Sequence, residues 1–132
     1  MKQVQLIGLL LSLMCLSCNQ EGEKEEMRYD RALNLKAGHS YYIAGGDLTL
    51  RIKDITDSRC PVGVVCVWQG EATVWLEIGN TPVYNVVLST LHHPTDTVNN
   101  HIFRLIDVLP YPVYGKEVPE KEKIVVLEVK KI

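Results

Sequence analysis

Residues 72–78 read Ala-Thr-Val-Trp-Leu-Glu-Ile, with apolar side chains at every second position and Thr73, Trp75 and Glu77 between them. Successive side chains of a β-strand point to opposite faces, so this alternation predicts a strand with one buried face. Residues 48–53 and 125–129 alternate in the same way. Less regular apolar stretches predict further strands at residues 33–43, 83–88 and 102–108.

Turn-forming residues separate these segments, at Gly45-Gly46-Asp47, Gly79-Asn80-Thr81-Pro82, Pro94-Thr95-Asp96 and Pro110-Tyr111-Pro112. No segment sustains apolar residues at helical spacing, so a long helix is not expected. Six or seven short strands with frequent turns predict an all-β fold. The expected architecture is an antiparallel β-sandwich of the immunoglobulin-like kind or a small barrel.

The N-terminal residues predict export. Lys2 precedes an apolar run from Val4 to Leu16, which is too short to span a bilayer and is typical of the core of a signal peptide. Ser17-Cys18 then resembles the relaxed cleavage site of lipoproteins of the Bacteroidota. We therefore expect residues 1–17 to be a lipoprotein signal peptide and Cys18 to be the lipid anchor, with plain secretion as the alternative.

The segment after Cys18 predicts a tether. Residues 19–26 contain no apolar side chain and are therefore not expected to enter a core. We assign residues 18–27 to the lipidated cysteine and an acidic flexible tether, and residues 28–132 to a single β domain. The acidic residues also resemble the signal that carries lipoproteins of the Bacteroidota to the cell surface. An outer-membrane or cell-surface location, with the membrane bound through the N-terminal lipid, is therefore predicted.

The charge of the predicted domain is balanced. The chain has 14 Lys and Arg residues and 16 Asp and Glu residues. Setting aside Lys2 and Lys24 with the four glutamates of the tether leaves 12 of each sign. A domain without net charge has no positive electrostatic potential that would attract the phosphates of nucleic acid. Nucleic acid is therefore not an expected partner.

Residues 57–72 form the most specific segment, Asp-Ser-Arg-Cys-Pro-Val-Gly-Val-Val-Cys-Val-Trp-Gln-Gly-Glu-Ala. Cys15 leaves with the signal peptide and Cys18 takes the lipid, so Cys60 and Cys66 remain as a pair. In an oxidising compartment the simplest prediction for that pair is a disulfide. Metal ligation and a redox pair are the alternatives, but the segment has neither Cys-x-x-Cys spacing nor a helix that starts there.

This segment resembles the signature of a family of uncharacterised small secreted proteins and lipoproteins of bacteria, many of them from the Bacteroidota. The resemblance lies in Asp-Ser-Arg-Cys-Pro followed by Cys-Val-Trp-Gln-Gly-Glu-Ala, and it extends from about Leu35 to Val129. It implies an extracytoplasmic β domain with Cys60 joined to Cys66. It implies no substrate and no catalytic residue.

Three side chains near this segment are candidates for contacts. Trp75 lies on the polar face of its strand, where an exposed indole would contact a ligand, although cover by a loop or a second sheet is the alternative. Trp68 is expected to pack against the disulfide. Arg59 is expected to bind the carboxylate of Asp57 or Glu71, or to stack on Trp68.

The histidines and one threonine suggest further sites. His92, His93 and His101 are expected to be solvated loop residues, and a metal site for copper or zinc is the alternative. Adjacent residues on an extended chain point apart, which disfavours a shared ion for His92 and His93. Asp96-Thr97-Val98 resembles the O-glycosylation site of the Bacteroidota, with Thr97 as acceptor.

No catalytic motif is found, neither Gly-x-Ser-x-Gly, nor His-Glu-x-x-His, nor a phosphate-binding glycine loop. We therefore predict no enzymatic activity and no cofactor. The predicted function is a non-catalytic binding or structural accessory domain in the cell envelope, whose partner is an envelope protein or a glycan. A periplasmic metal-handling protein and a protease-inhibitor or carbohydrate-binding module are the alternatives.

Overall fold

The computed structural model describes residues 25–43 and 48–132. This part of the chain contains a 3₁₀ turn at Glu120–Glu122 and nine strands: β1 Glu25–Met27, β2 Ala32–Lys36, β3 Ser40–Ile43, β4 Thr49–Asp57, β5 Ala72–Ile78, β6 Tyr84–Ser89, β7 Thr95–Val98, β8 His101–Leu109 and β9 Ile124–Lys131. The predicted signal peptide, Cys18 and the turn at Gly45-Gly46-Asp47 lie outside the described residues.

The strands form two sheets that pack as a sandwich. Strands β3, β4, β5 and β6 are antiparallel, and β1 adds to the β3 edge in the parallel direction. The second sheet has the order β2-β9-β8-β7 and is antiparallel throughout. The predicted all-β sandwich is thus confirmed. The alternative of a barrel is wrong, since the two sheets of the described part do not close on each other.

The core lies between the inner faces of the two sheets. In β5 every second residue from Ala72 to Ile78 is buried, while Thr73, Trp75 and Glu77 on the outer face are only partly buried. The second sheet contributes Phe103, Leu105 and residues of β9 in the same alternating way. Alternation along the strands therefore identified the buried faces correctly.

Two local predictions need correction. Residues 33–43 are not one strand, because the chain turns at Gly38, with φ of +80°, and passes from β2 in one sheet to β3 in the other. Thr95 and Asp96 do not form a turn but begin β7, and the chain reverses at Asn99-Asn100. Both asparagines have positive φ, as a two-residue hairpin turn requires.

The first described strand falls at the end of the range predicted to be the tether. Strand β1 lies within residues 18–27, the range assigned to the tether, and it pairs with β3 from Glu25↔Tyr41 to Met27↔Ile43. The physical reason is Met27, whose apolar side chain is buried with the core.

Candidate binding site at the disulfide loop

The chain between β4 and β5 forms a loop that is closed at its base. The backbone N–H of Ser58 donates to the carbonyl of Glu71 at 2.9 Å, and the N–H of Cys60 donates to the carbonyl of Gln69 at 2.8 Å. Above this base Cys60 and Cys66 form a disulfide, with their Cα atoms 5.8 Å apart. The predicted disulfide is thereby confirmed in the structure.

Gly70 allows the two sides of the loop base to meet. Its φ is +66°, and a Cβ atom built on it would lie 1.8 Å from the carbonyl oxygen of Ser58. Any larger residue would therefore push the two backbone segments apart.

Arg59 forms hydrogen bonds that connect the loop base to both sheets. Its guanidinium donates to both carboxylate oxygens of Asp57, at 2.8 and 2.7 Å, which is the bidentate geometry expected for this pair. It also donates to Asp107 at 2.9 Å and to the carbonyl of Val108 at 2.6 Å. Asp57 ends β4 in one sheet, and Asp107 and Val108 belong to β8 in the other. Arg59 therefore links the two sheets across the end of the sandwich.

A β-bulge in β8 helps to position this cluster. The register between β8 and β9 shifts between Leu105 and Asp107, so that Ile106 is exposed while Val108 returns to the core. Such a bulge redirects a side chain at the point where the extra residue is inserted. Here the carboxylate of Asp107 accepts hydrogen bonds from Arg59 and from the N–H of Val108.

The electrostatics of the cluster favour the charged pair. Burial by itself would raise the pKa of Asp57, but the hydrogen bonds and charge of Arg59 outweigh it, so the pKa lies below its usual value. Burial would likewise lower the pKa of Arg59, yet Asp57 and Asp107 raise it. Both groups therefore stay ionised although the side chain of Arg59 is only 7% exposed and that of Asp57 only 4%.

The predicted pairing of Arg59 with Asp57 is confirmed, and the two alternatives, pairing with Glu71 and stacking on Trp68, are wrong. The guanidinium lies over the ring of Tyr111, 4.5 Å from the ring centroid, and not on Trp68. Glu71 instead accepts a hydrogen bond from the Nδ1 of His92 at 3.0 Å. Hydrogen bonds from His92 and Ser89 lower the pKa of Glu71.

A second segment, residues 110–116, packs beside the disulfide loop. The N–H of Val62 donates to the carbonyl of Pro112 at 2.9 Å, and the N–H of Tyr114 donates to the carbonyl of Val62 at 3.0 Å. We refer to residues 60–70 together with residues 110–116 as the loop end of the sandwich.

The outermost part of the loop end is apolar and exposed. We define the apolar tip by five side chains whose exposed fractions are 60% for Val62, 37% for Val64, 102% for Val65, 106% for Val67 and 69% for Trp68. The prediction that Trp68 packs against the disulfide is therefore wrong. The aromatic rings of Tyr111 and Tyr114 are exposed next to the tip. Sequence reasoning missed the tip, although the absence of any charged side chain from Cys60 to Gly70 was a visible signal.

The histidines are not brought together. His92 and His93 are exposed, and His93 approaches Asp96 at 3.9 Å. His101 belongs to β8 and is buried, so the prediction of a solvated loop residue is wrong for it. Its Nδ1 lies 2.6 Å from the carbonyl oxygen of Asn99 and its Nε2 lies 3.0 Å from the hydroxyl of Tyr29. Within residues 25–43 and 48–132 no group of three His, Cys, Asp or Glu side chains is placed to hold a metal ion.

Trp75 and Thr97 lie away from the apolar tip. Trp75 is half-buried on the outer face of its sheet, in register with Asp54 and Val87 of the neighbouring strands. Thr97 is exposed in β7, opposite Ile102 and close to the Asn99-Asn100 turn.

A shallow depression lies on the side of the Arg59 cluster. Its volume is about 290 Å³, and it is lined by Asp57, Pro110, Pro112, Lys116, Glu117, Val118 and Lys123. Side chains of both charge signs line it, so it does not select a ligand of one charge.

Across the described ranges, no helix is of a length and apolarity that would carry it through a bilayer. Comparison of the chain with family models, with curated proteins and with solved structures found no match.

Proposed function

We propose that this chain is an exported lipoprotein, anchored through Cys18, whose sandwich acts in the cell envelope by binding and not by catalysis. The loop end is its contact surface. The observation that carries this proposal is the exposure of the apolar tip, since soluble domains rarely leave adjoining apolar side chains in water without a partner.

The construction of the loop supports a binding role. The disulfide, the backbone bonds at the loop base and the Arg59 cluster all hold the segment that carries the tip. A loop fixed before binding loses little conformational entropy when it meets its partner. The tip consists of valines and a tryptophan, which provide contact area but no acid, base or nucleophile.

The disulfide also supports export. Structural disulfides persist in extracytoplasmic compartments and are rare in a reducing cytosol. A signal peptide ending at Ser17, acylation of Cys18 and a bonded Cys60–Cys66 pair are consistent with one route of secretion.

The anchor is tested by the intact mass of protein extracted from host membranes. We expect a chain that begins at Cys18 and carries acyl groups, and a Cys18→Ser variant that is not acylated. An unprocessed N-terminus at Met1 in the native host would contradict the proposal.

The contact surface is tested by photo-crosslinking in host cells. A photoreactive benzoylphenylalanine in place of Val65 reports on the tip, and the same residue in place of Val83 is the matched control. Val83 is 48% exposed and lies before β6, at the opposite end of the sandwich. We expect crosslinked products from position 65 and not from position 83. Equal yields at the two positions would refute the loop end as the contact surface.

A further inference from the structure

We propose that the partner of the apolar tip is the lipid surface that holds the anchor. The tip would insert at the boundary between headgroups and acyl chains, so that the loop end of the domain faces the membrane. This inference rests on the proposed function, because it requires both the acyl chains on Cys18 and the contact role of the loop end.

The direction of the strands turns the N-terminal end of β1 towards the loop end. Strand β4 runs towards the loop end and leads into the disulfide loop after Asp57. Strand β3 is antiparallel to β4, and β1 is parallel to β3, so β1 runs away from the loop end. Glu25 is therefore the end of β1 nearer to the loop end, and Met27 is the end farther from it.

The length of chain between Cys18 and β1 is enough to reach the base of the loop end. Glu25 lies level with Tyr41 in β3, which lies level with Leu50 in β4. Asp57 follows Leu50 by seven positions, which is about 23 Å at the rise of a strand. Glu25 also follows Cys18 by seven positions, and seven extended steps span at most about 23–25 Å. An anchor on Cys18 can thus reach the level of Asp57, at the base of the loop end, when the chain from Cys18 to Glu25 is fully extended.

The chemistry of the loop end fits a lipid interface. The valines of the tip are apolar and suit the acyl-chain region. Tryptophan and tyrosine rings favour the headgroup region, and Trp68, Tyr111 and Tyr114 are exposed at the loop end. From Cys60 to Gly70 the only polar side chain is Gln69. A typical protein interface carries about ten direct hydrogen bonds, of which the side chains from Val62 to Trp68 could supply few, whereas binding to a lipid interface increases with the apolar area buried.

The test uses the two tryptophans of the chain as separate reporters. Acylated protein that begins at Cys18 is reconstituted into phosphatidylcholine vesicles, with and without lipid brominated near the headgroup end of an acyl chain. In a Trp75→Phe variant the emission comes from Trp68, and in a Trp68→Phe variant it comes from Trp75. We expect brominated lipid to quench Trp68 strongly and to leave Trp75, half-buried in the middle of β5, nearly unchanged.

Charged substitutions in the apolar tip provide the second part of the test. Val65→Asp with Val67→Asp, added to Trp75→Phe, should abolish the quenching of Trp68, whereas Val83→Asp in the same background should not. If Trp75→Phe fails to fold, the difference between wild-type protein and Trp68→Phe measures the same quantity.

The outcomes separate this inference from the proposed function. Unquenched Trp68 in protein that is acylated and vesicle-bound overturns the lipid contact. If the crosslinks from position 65 then lead to a protein, the loop end remains a contact surface but its partner is not the membrane. Protein that carries no acyl chain and does not enter the vesicles refutes the proposed anchor itself.

Discussion

Arg59, at the base of the loop, donates hydrogen bonds to Asp57, Asp107 and the carbonyl of Val108, and its removal leaves the carboxylate of Asp57 buried without its cation. We expect Arg59→Met to lower the free energy of unfolding by about 3–5 kcal/mol, the usual cost of breaking a buried ion pair on one side. Urea denaturation followed by circular dichroism measures the change.

Arg104→Met is the matched control for this substitution. Arg104 pairs with Glu128 at 3.9 Å and its side chain is 62% exposed, so its loss should cost less than about 1 kcal/mol. A similar cost for the two variants would contradict the structural role assigned to Arg59. Arg59→Lys should fall between them, since an ammonium keeps the charge but not the bidentate geometry.

The same pair predicts how stability depends on pH. The pKa of Asp57 is lowered in the folded protein, so its contribution is complete above the ordinary carboxyl pKa of about 3.9 and is lost as the pH falls through the lower folded value. We expect the free energy of unfolding to fall in this acidic range, and the fall to be smaller in Asp57→Asn, which is already less stable at neutral pH. Urea titrations across the acidic range measure both.

Glu71→Gln provides the comparison for the pH experiment. The pKa of Glu71 is also lowered, but its partner His92 is exposed and the pair contributes little. The variant should therefore retain most of the acid dependence. If Glu71→Gln flattened the curve more than Asp57→Asn, the origin of the dependence would lie outside the Arg59 cluster.

At the scale of single elements, the disulfide closes a small ring, and its removal should be tolerated. Cys60→Ser combined with Cys66→Ser is expected to cost about 2–2.5 kcal/mol, the entropy of closing a loop of this length in the unfolded chain. The backbone bonds at the loop base and the Arg59 cluster remain in this variant. Unfolding in urea measures the loss, and a collapse of the whole β-sheet signal would show that the bridge supports the core itself.

Gly38, in the turn between β2 and β3, is the matched control for Gly70 at the loop base. Both have positive φ, but a Cβ on Gly38 meets no atom within 4 Å, whereas a Cβ on Gly70 would overlap the carbonyl of Ser58. Gly38→Ala should cost about 1–2 kcal/mol from backbone strain alone. Gly70→Ala should cost clearly more because the hairpin must also open. Thermal unfolding of the two variants checks this order, and equal costs would contradict it.

A strand can be predicted from the sequence when its burial leaves a regular pattern in the residues, and long-range features cannot. Alternation identified β4, β5 and β9 because a half-buried strand imposes it directly on the residues. The change of sheet at Gly38 was missed, since a run of suitable strand residues does not show which sheet each part joins. Asp107 was likewise missed as a partner of Arg59, because a bulge and a contact across 48 residues leave no local pattern.

At the scale of the whole molecule, the sandwich followed from the sequence but the exposure of its loop end did not. Valine and tryptophan are ordinarily buried, so the absence of charge from Cys60 to Gly70 did not by itself show that these side chains lie in water. Their exposure depends on three-dimensional features, the closed loop base and the contact with residues 110–116.

This exposure predicts that the side chains of Val65 and Val67 contribute nothing to folding. Val65 and Val67 are 102% and 106% exposed, so replacing both with Asp removes no buried area. The free energy of unfolding should change by no more than about 0.5 kcal/mol, as for other surface substitutions. Val74→Asp, which places a charge at a fully buried position of β5, should prevent folding.

Urea denaturation of lipid-free protein is the measurement, because it separates folding from any membrane contact. A loss of several kcal/mol in the double variant would mean that the tip packs against the domain in solution, and its exposure would then not support a binding surface. An unchanged stability means that these valines have no structural role in the sandwich, so any effect of the double variant in the membrane reports on contact alone.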